Sequence, residues 1–432
     1  MTKLLCDERY SDSQGCTVGD RVSLMKQVLG DSRTGTSVKR ISQNSTGMSN
    51  MAVVGEIEDE REENLIRYYC LRGFQYGEIK DFLSEYHEKE MSISTLKKII
   101  KSYGLSRRNP DYDEQMVRDA IRYMIDGPVC LRGCRSVWHG LQLQGLRVPQ
   151  TLVQQLLKEI DPHRSSVRKA HRLKRRTYCN MGPNYAWHCD GYDKLKPFGF
   201  PIHGCIDGSS RKVLWLYVTR SNNQPNNIAT YFVDAVDELN GCPVDLVSDL
   251  GTENGIMAAA QAFFRDDENS HRYVASTRNQ RIESWWAQYS RSSTAWWINF
   301  FKDLVDGRQL DTTSELQMEC LWFCFSEVLQ KELDEIKEHW NTHFIRKSRH
   351  DTISGRQGFF VLPTTVTYGG SCNLSLPVPL CELDYVRSHV VVTEEENEYE
   401  ECFQYLVQTC HLSKPENWRE ALQQYHTILS YA

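Results

Sequence analysis

Apolar positions begin to recur at helical spacing from residue 62, in three clusters: Leu65-Ile66-Tyr69, Ile79-Phe82-Leu83 and Leu96-Ile99-Ile100-Tyr103. Breaks at Gly73 and around Met91-Ser92 divide them, so three short helices are predicted. In the third, Ser92 or Ser94 can cap the start. Leu96, Ile99, Ile100 and Tyr103 share one face, and Lys97, Lys98 and Lys101 the other. An apolar back and a basic front suit a helix that enters a DNA major groove, and equally a lysine-rich surface of a small bundle. The theme returns with a helix over 113–126, a segment over 134–144, a turn at Gly145 and a helix over 148–160. In that last helix Leu152, Val153, Leu156, Leu157 and Ile160 form the inner stripe, and Thr151, Gln154, Gln155 and Lys158 the outer one. Glutamine can pair with adenine edges, although solvated glutamines are common.

Beyond residue 183 the periodicity shortens to that of strands. Extended runs fall at 185–190, 200–206 and 213–218, with Asp207-Gly208 as a turn signal between the last two. A helix over 228–239, a buried strand over 244–248, a helix over 256–264, a last strand over 273–276 and a helix from Gln280 follow. Strand, strand, strand, helix, strand, helix, strand, helix predicts an α/β layer: a mixed five-stranded sheet covered by helices. Helices continue to about His343, and a Gly- and Pro-containing stretch over 354–379 leads to an acidic one.

These patterns divide the chain into a Ser/Thr/Gly/Asn-rich segment, 1–55, expected to be disordered, and helical units at 60–108 and 111–162. A linker at 163–182, an α/β core at 183–305, a helical extension at 306–345 and a C-terminal segment at 346–432 complete it. Charge sharpens the picture. The net charge of −6 over 432 residues argues against a nucleic-acid binder, but residues 163–176 read HRSSVRKAHRLKRR, with Arg172, Lys174, Arg175 and Arg176 closing a basic run. The stretch TEEENEYEE at 393–401 is its acidic opposite. Local fields, not whole-chain sums, attract phosphate, so DNA is the expected partner. No apolar run is long enough to span a membrane. The start of the chain lacks a basic-then-apolar leader, and fifteen cysteines are spread widely. A reduced cytosolic or nuclear protein, not a secreted one, is therefore expected.

Three acids stand at element ends of the α/β layer: Asp190 in WHCDGYDKL, Asp249 in LVSDLGTENG and Glu283 in RNQRIESWWAQ. Hard divalent cations take carboxylate oxygens, and a pair of such ions suits phosphodiester chemistry. Asp207 competes for the first position, but its Asp-Gly dipeptide suits a turn. Asp193 and Glu253 lie nearby in sequence, as second-rank candidates or surface residues. His188 and Asn279 flank the acids and could orient them. Trp285, Trp286, Trp296 and Trp297 could stack on bases, although such spacing more often packs a helical layer.

The words WHCDGYDKLKPFG, HGCIDGSSRKVLWL, SDLGTEN and NQRIESWWAQ resemble the retroviral integrase and DDE transposase superfamily, specifically eukaryotic integrase-core-domain proteins related to mobile elements. The resemblance extends over 68–363 and is most specific over 187–288. It implies a ribonuclease-H-like core in which Asp190, Asp249 and Glu283 hold two Mg²⁺ (or Mn²⁺) ions. It also implies a DNA-cutting and strand-transferring enzyme that works in the nucleus after import, as a homo-oligomer. The rival reading is a domesticated, non-catalytic DNA-binding protein that keeps the core as a scaffold. Two departures stand out. The zinc-binding N-terminal His-His-Cys-Cys pattern of retroviral integrases is missing, since Cys130/Cys134/His139 and Cys320/Cys324 do not make a four-ligand set. Leu250 replaces a residue that is small or polar in many relatives.

Overall fold

A computed structural model describes residues 61–105, 112–126, 133–162, 180–345, 355–356, 373–390 and 397–431. The segment 1–55 and the basic run with Arg172, Lys174, Arg175 and Arg176 lie outside the described residues, as do 346–354 and 357–372.

Three helices come first: α1 (Glu62–Leu71), α2 (Tyr76–His87) and α3 (Ile93–Ser102). They enclose Leu65, Tyr69, Ile79, Phe82, Leu96 and Ile100, so the apolar stripes read from sequence are the ones that pack. Ser92 caps α3 by accepting a hydrogen bond from Thr95 N. Lys97, Lys98 and Lys101 are exposed on the outer face of α3, and Lys97 Nζ lies 5.4 Å from the Tyr76 ring centre. The second group is α4 (Glu114–Ile125), α5 (Cys134–Leu143) and α6 (Gln150–Ile160), closed around Val117, Ile121, Val137, Leu141, Val153 and Leu156. Gly145 turns the chain after α5 at φ 84°, a left-handed conformation that suits glycine. On α6, Thr151, Gln154, Gln155 and Lys158 are exposed, and Gln155 donates to Glu159 Oε1 at 3.1 Å.

The α/β layer then follows the expected order. It runs β1 (Ala186–Tyr192), β2 (Ile202–Asp207), β3 (Val213–Val218), α7 (Pro225–Glu238), β4 (Asp245–Ser248), α8 (Gly255–Arg265), β5 (His271–Tyr273) and α9 (Gln280–Tyr289). A π-helical turn, Ser290–Thr294, joins α9 to α10 (Ala295–Asp306), and the long α11 (Glu315–Thr342) follows. The sheet order is β3-β2-β1-β4-β5; β1 is antiparallel to β2 and parallel to β4. This is the mixed five-stranded, helix-covered sheet of a ribonuclease-H-like core.

Three strands differ in more than one residue from the sequence reading: β1 runs on to Tyr192, so Asp190 lies inside it and does not close it. The last strand lies at His271–Tyr273 rather than 273–276, because its parallel partner β4 ends at Ser248. Val274 N still reaches Ser248 O at 2.9 Å, after which the chain turns through Ser276–Arg278. The second strand starts at Ile202 rather than at Phe200, since Phe200 closes a turn onto Leu195 O and Pro201 has no N–H for a ladder. Asp207 takes the turn role: its carboxylate accepts from Asn184 N at 2.9 Å and Ser210 N at 2.6 Å.

Alternation along the strands separates two cores. Trp187, Cys189, Cys205, Leu214 and Leu246 face α7, α8 and α12 (Leu380–His389). Tyr192, Ile202, Ile206, Val213 and Leu216 face α9, α10 and α11, together with α13 (Glu398–Thr409) and α14 (Trp418–Leu429). The acidic stretch at 393–401 enters α13 at Glu398. The edge strand β3 is also covered: on α11, Gln330 pairs with Val218 N and Leu216 O, and Asn341 with Val213 N and O. Near the same end of α11, Thr342 Oγ1 meets His139 Nε2 of α5 at 2.8 Å, and Glu338 pairs with Arg72.

Candidate active site

Asp190 sits on the central strand. Side chains alternate across a sheet, so with Trp187 and Cys189 turned to the α7/α8 face, Asp190 turns to the α9 face. The parallel register of β1 on β4 pairs Ala186 with Asp245. The offset is 245 − 186 = 59, and 249 − 190 is also 59, so the register extended past its last pair, His188 with Val247, sets Asp249 just past the end of β4 on the Asp190 level. Glu283 lies in the first turn of α9, half-buried.

Asn279 fixes the start of α9 over the strand. Fully buried, it donates to Cys189 O at 2.8 Å and accepts from His188 Nδ1 at 2.8 Å. Because the Asn279 amide nitrogen is committed to Cys189 O, its oxygen must accept, and His188 carries its proton on Nδ1. Burial lowers the His188 pKa to about 4, which keeps the ring neutral. Arg281 ties the same helix to Gly208 O at 2.8 Å.

Asp190 and Glu283 both respond to the neighbouring carboxylates. Asp190 is only 9% exposed, and its pKa rises to about 8, first through burial and then through the negative charges of Glu283 and Asp249. Burial and Asp249 raise Glu283 as well. Two neutral donors partly oppose the rise at Asp190: the Trp286 indole, 3.1 Å from Oδ2, and the Gly191 backbone. Asn254, buried on the turn after Asp249, donates to Asp249 Oδ1 at 2.9 Å. An all-oxygen, mutually repelling donor set is what a hard divalent cation relieves, so the chemistry of these residues fits Mg²⁺ or Mn²⁺. Among the described residues, no three His, Cys, Asp or Glu side chains are gathered tightly enough to grip an ion as they stand.

The remaining candidates separate. Glu253 sits beside Asn254 on the turn after Asp249, whereas Asp193 pairs with Lys196 and Asn222 beyond the far end of β1. Leu250 stands 75% exposed next to Asp249. Trp285 and Trp297 are buried and Trp296 is partly buried in the helical layer. Cys134 and His139 have other partners, Gln150 O and Thr342. Lys97, Lys98, Lys101, Gln154, Gln155 and Lys158 lie on α3 and α6, outside the carboxylate site. Trp286 and Asn254 are the contacts that sequence reasoning missed. Trp286 had a signal: three residues after Glu283, it shares that acid's helix face. Asn254 lay inside the quoted word SDLGTEN with nothing to single it out.

A mixed sheet with acids at the adjoining ends of two parallel strands, and a third on the helix laid across them, defines a member of the polynucleotidyl transferase superfamily. Residues 177–359 match the family model of the integrase core domain, so this part of the chain is an integrase core of the integrase/DDE transposase type. A comparison with curated proteins returns no match. Proteins of this family bind DNA and generally use divalent metals. No helix among the described residues is long and apolar enough to cross a membrane.

Proposed function

We propose that the protein is an integrase-type polynucleotidyl transferase of mobile-element origin, which cuts DNA phosphodiester bonds and joins DNA ends. One observation carries this reading: Asp190 is buried within the field of two further carboxylates, and among the described residues no cationic side chain offsets the repulsion it feels. A scaffold gains nothing from such an arrangement, whereas a two-ion site requires it. Asp190 and Asp249 would share the ions, and Glu283 would complete the second position. Bound there, Mg²⁺ or Mn²⁺ would supply Lewis acidity at the phosphate and ease deprotonation of the attacking oxygen, from water in nicking or a DNA 3′-hydroxyl in joining. The protein's own part is placement: Asn279 holds α9 over β1, and Asn254 orients Asp249.

DNA would be held by the outer faces of α3 and α6, acting as helix-turn-helix units at 60–108 and 111–162, and by the basic linker at 163–182. The exposed lysines of α3 and the exposed Gln154, Gln155 and Lys158 of α6 support this part. Action on two DNA ends at once calls for a homo-oligomer, and a DNA substrate for a nuclear location.

Cleavage of supercoiled plasmid with Mn²⁺, paired with melting in the absence of metal, tests the proposal. Wild-type protein should nick the plasmid, and Glu283→Gln should fold normally and fail to nick, because the change keeps the shape and removes a ligand charge. Nicking by Glu283→Gln at the wild-type rate would remove Glu283 from the site. No cleavage by either protein, across several metals and with candidate DNA ends supplied, would favour a domesticated DNA-binding scaffold.

A further inference from the structure

Trp286 is the one tryptophan of the α9–α10 region whose indole N–H is spent on a candidate metal ligand. Trp285 packs in the apolar layer, and Trp297 donates to Glu332 at 2.8 Å, away from the acids. Trp286 Nε1 donates to Asp190 Oδ2 at 3.1 Å, and the donor and acceptor are both buried. The surroundings are built for this contact. Asp190 pairs across the β1–β2 ladder with Gly204, and a Cβ at position 204 would stand 3.0 Å from the tip of the Trp286 ring. That gap is tighter than most side-chain contacts, so a larger residue opposite Asp190 would force the indole to give by a few tenths of an ångström. Tyr192, two residues on from Asp190 and on the same face of β1, stacks on the ring at 4.8 Å between centres with 28° between planes.

We infer that Trp286 is a positioning residue for Asp190, its indole N–H holding one carboxylate oxygen so that the other is presented as a ligand to a divalent cation. The inference rests on the catalytic reading of the three acids. The choice of donor follows from charge. A lysine or arginine there would also orient the carboxylate, but it would neutralise it and compete with the cation for the same oxygens. An indole donates a hydrogen bond and carries no net charge. Its hold fixes the plane of the carboxylate, and a ligand locked in one orientation loses less freedom when an ion arrives.

Thermal melting of the full chain, titrated with Mn²⁺ and separately with Ca²⁺, reads ion binding without requiring turnover. Trp286→Phe keeps an aromatic ring between Tyr192 and Gly204 and removes the donor. The expected result is an ion-free melting temperature close to wild type, with the ion concentration for half-maximal stabilisation raised about tenfold. Replacement of Trp286 by benzothienylalanine, which keeps the bicyclic shape and lacks the N–H, should give the same rise and decides the matter if the Phe variant folds poorly. Ion responses of the fold-competent variants that superimpose on wild type would overturn the inference and leave the catalytic reading intact. A wild-type protein with no ion response at all would overturn both.

Discussion

Asp190 is the residue on which the chemistry and the stability of the core meet. A carboxyl buried beside two others is held protonated over a range in which the unfolded chain has already released its proton. The sign follows from linkage: the folded state binds the extra proton between the ordinary carboxylate pKa and about 8. Stability from this residue is therefore fully present at low pH and lost as pH rises through that window. The penalty at neutral pH is about 2–4 kcal/mol for the metal-free protein. His188 and His203 act in the opposite direction. Their pKa values fall to about 4 and about 3 through burial, so their contribution is lost as pH drops below about 6.5. Melting of metal-free protein should accordingly fall between pH 6.5 and 8 in wild type and fall less steeply in Asp190→Asn. Saturating Mg²⁺ should restore wild type across the same interval, and Asp249→Asn should lose most of that restoration. Equal pH slopes for wild type and Asp190→Asn would show that Asp190 is not the group responsible.

At the scale of elements, the sequence was legible wherever a periodic stripe decided the structure. The stripes of α3 and α6 and the run over 213–218 fall where their spacing placed them. It was less legible where a partner decided the outcome. The end of β4 sets where β5 stops pairing, and Pro201 delays the start of β2, neither of which can be read from an apolar run alone. The site shows the same division. The three acids stood out by their local words, but the Trp286 contact depends on Gly204 in a strand far away in sequence, which only the ladder register reveals. Electrostatics belongs to this scale too. If Arg172, Lys174, Arg175 and Arg176 all touch phosphate, neutralising them should flatten the plot of log K against log salt by about 3 to 4 units of slope. Neutralising Lys97, Lys98 and Lys101 should remove about 2 to 3 units by the same argument. A slope that does not move in either variant would place the DNA elsewhere.

For the whole molecule, the long helix α11 acts as a tie. It closes the open edge of the sheet through Gln330 and Asn341, and its far end meets α5 through the buried His139–Thr342 contact. A bare edge strand invites pairing with another chain, and side-chain amides that satisfy its backbone groups prevent it. Asn341→Leu should therefore cost about 1–3 kcal/mol, because it leaves the Val213 N–H and carbonyl buried without partners. Light scattering during refolding should rise in step, and more so when Gln330→Leu is combined with it. An unchanged melting temperature with clear solutions would mean that β3 is protected by apolar packing alone.

The buried acid at the centre of the sheet also bears on how such a chain would age. Asparagine at position 190 would relieve the repulsion at almost no change in shape, so in a lineage where cutting DNA has ceased to matter that replacement is favoured by folding itself. Decay at this site is thus not a neutral walk; it runs downhill. In a library of random variants screened only for soluble expression, substitutions of Asp190 should be enriched over those of Asp193, an exposed acid whose partners are Lys196 and Asn222. A screen that demands strand cleavage should reverse the order.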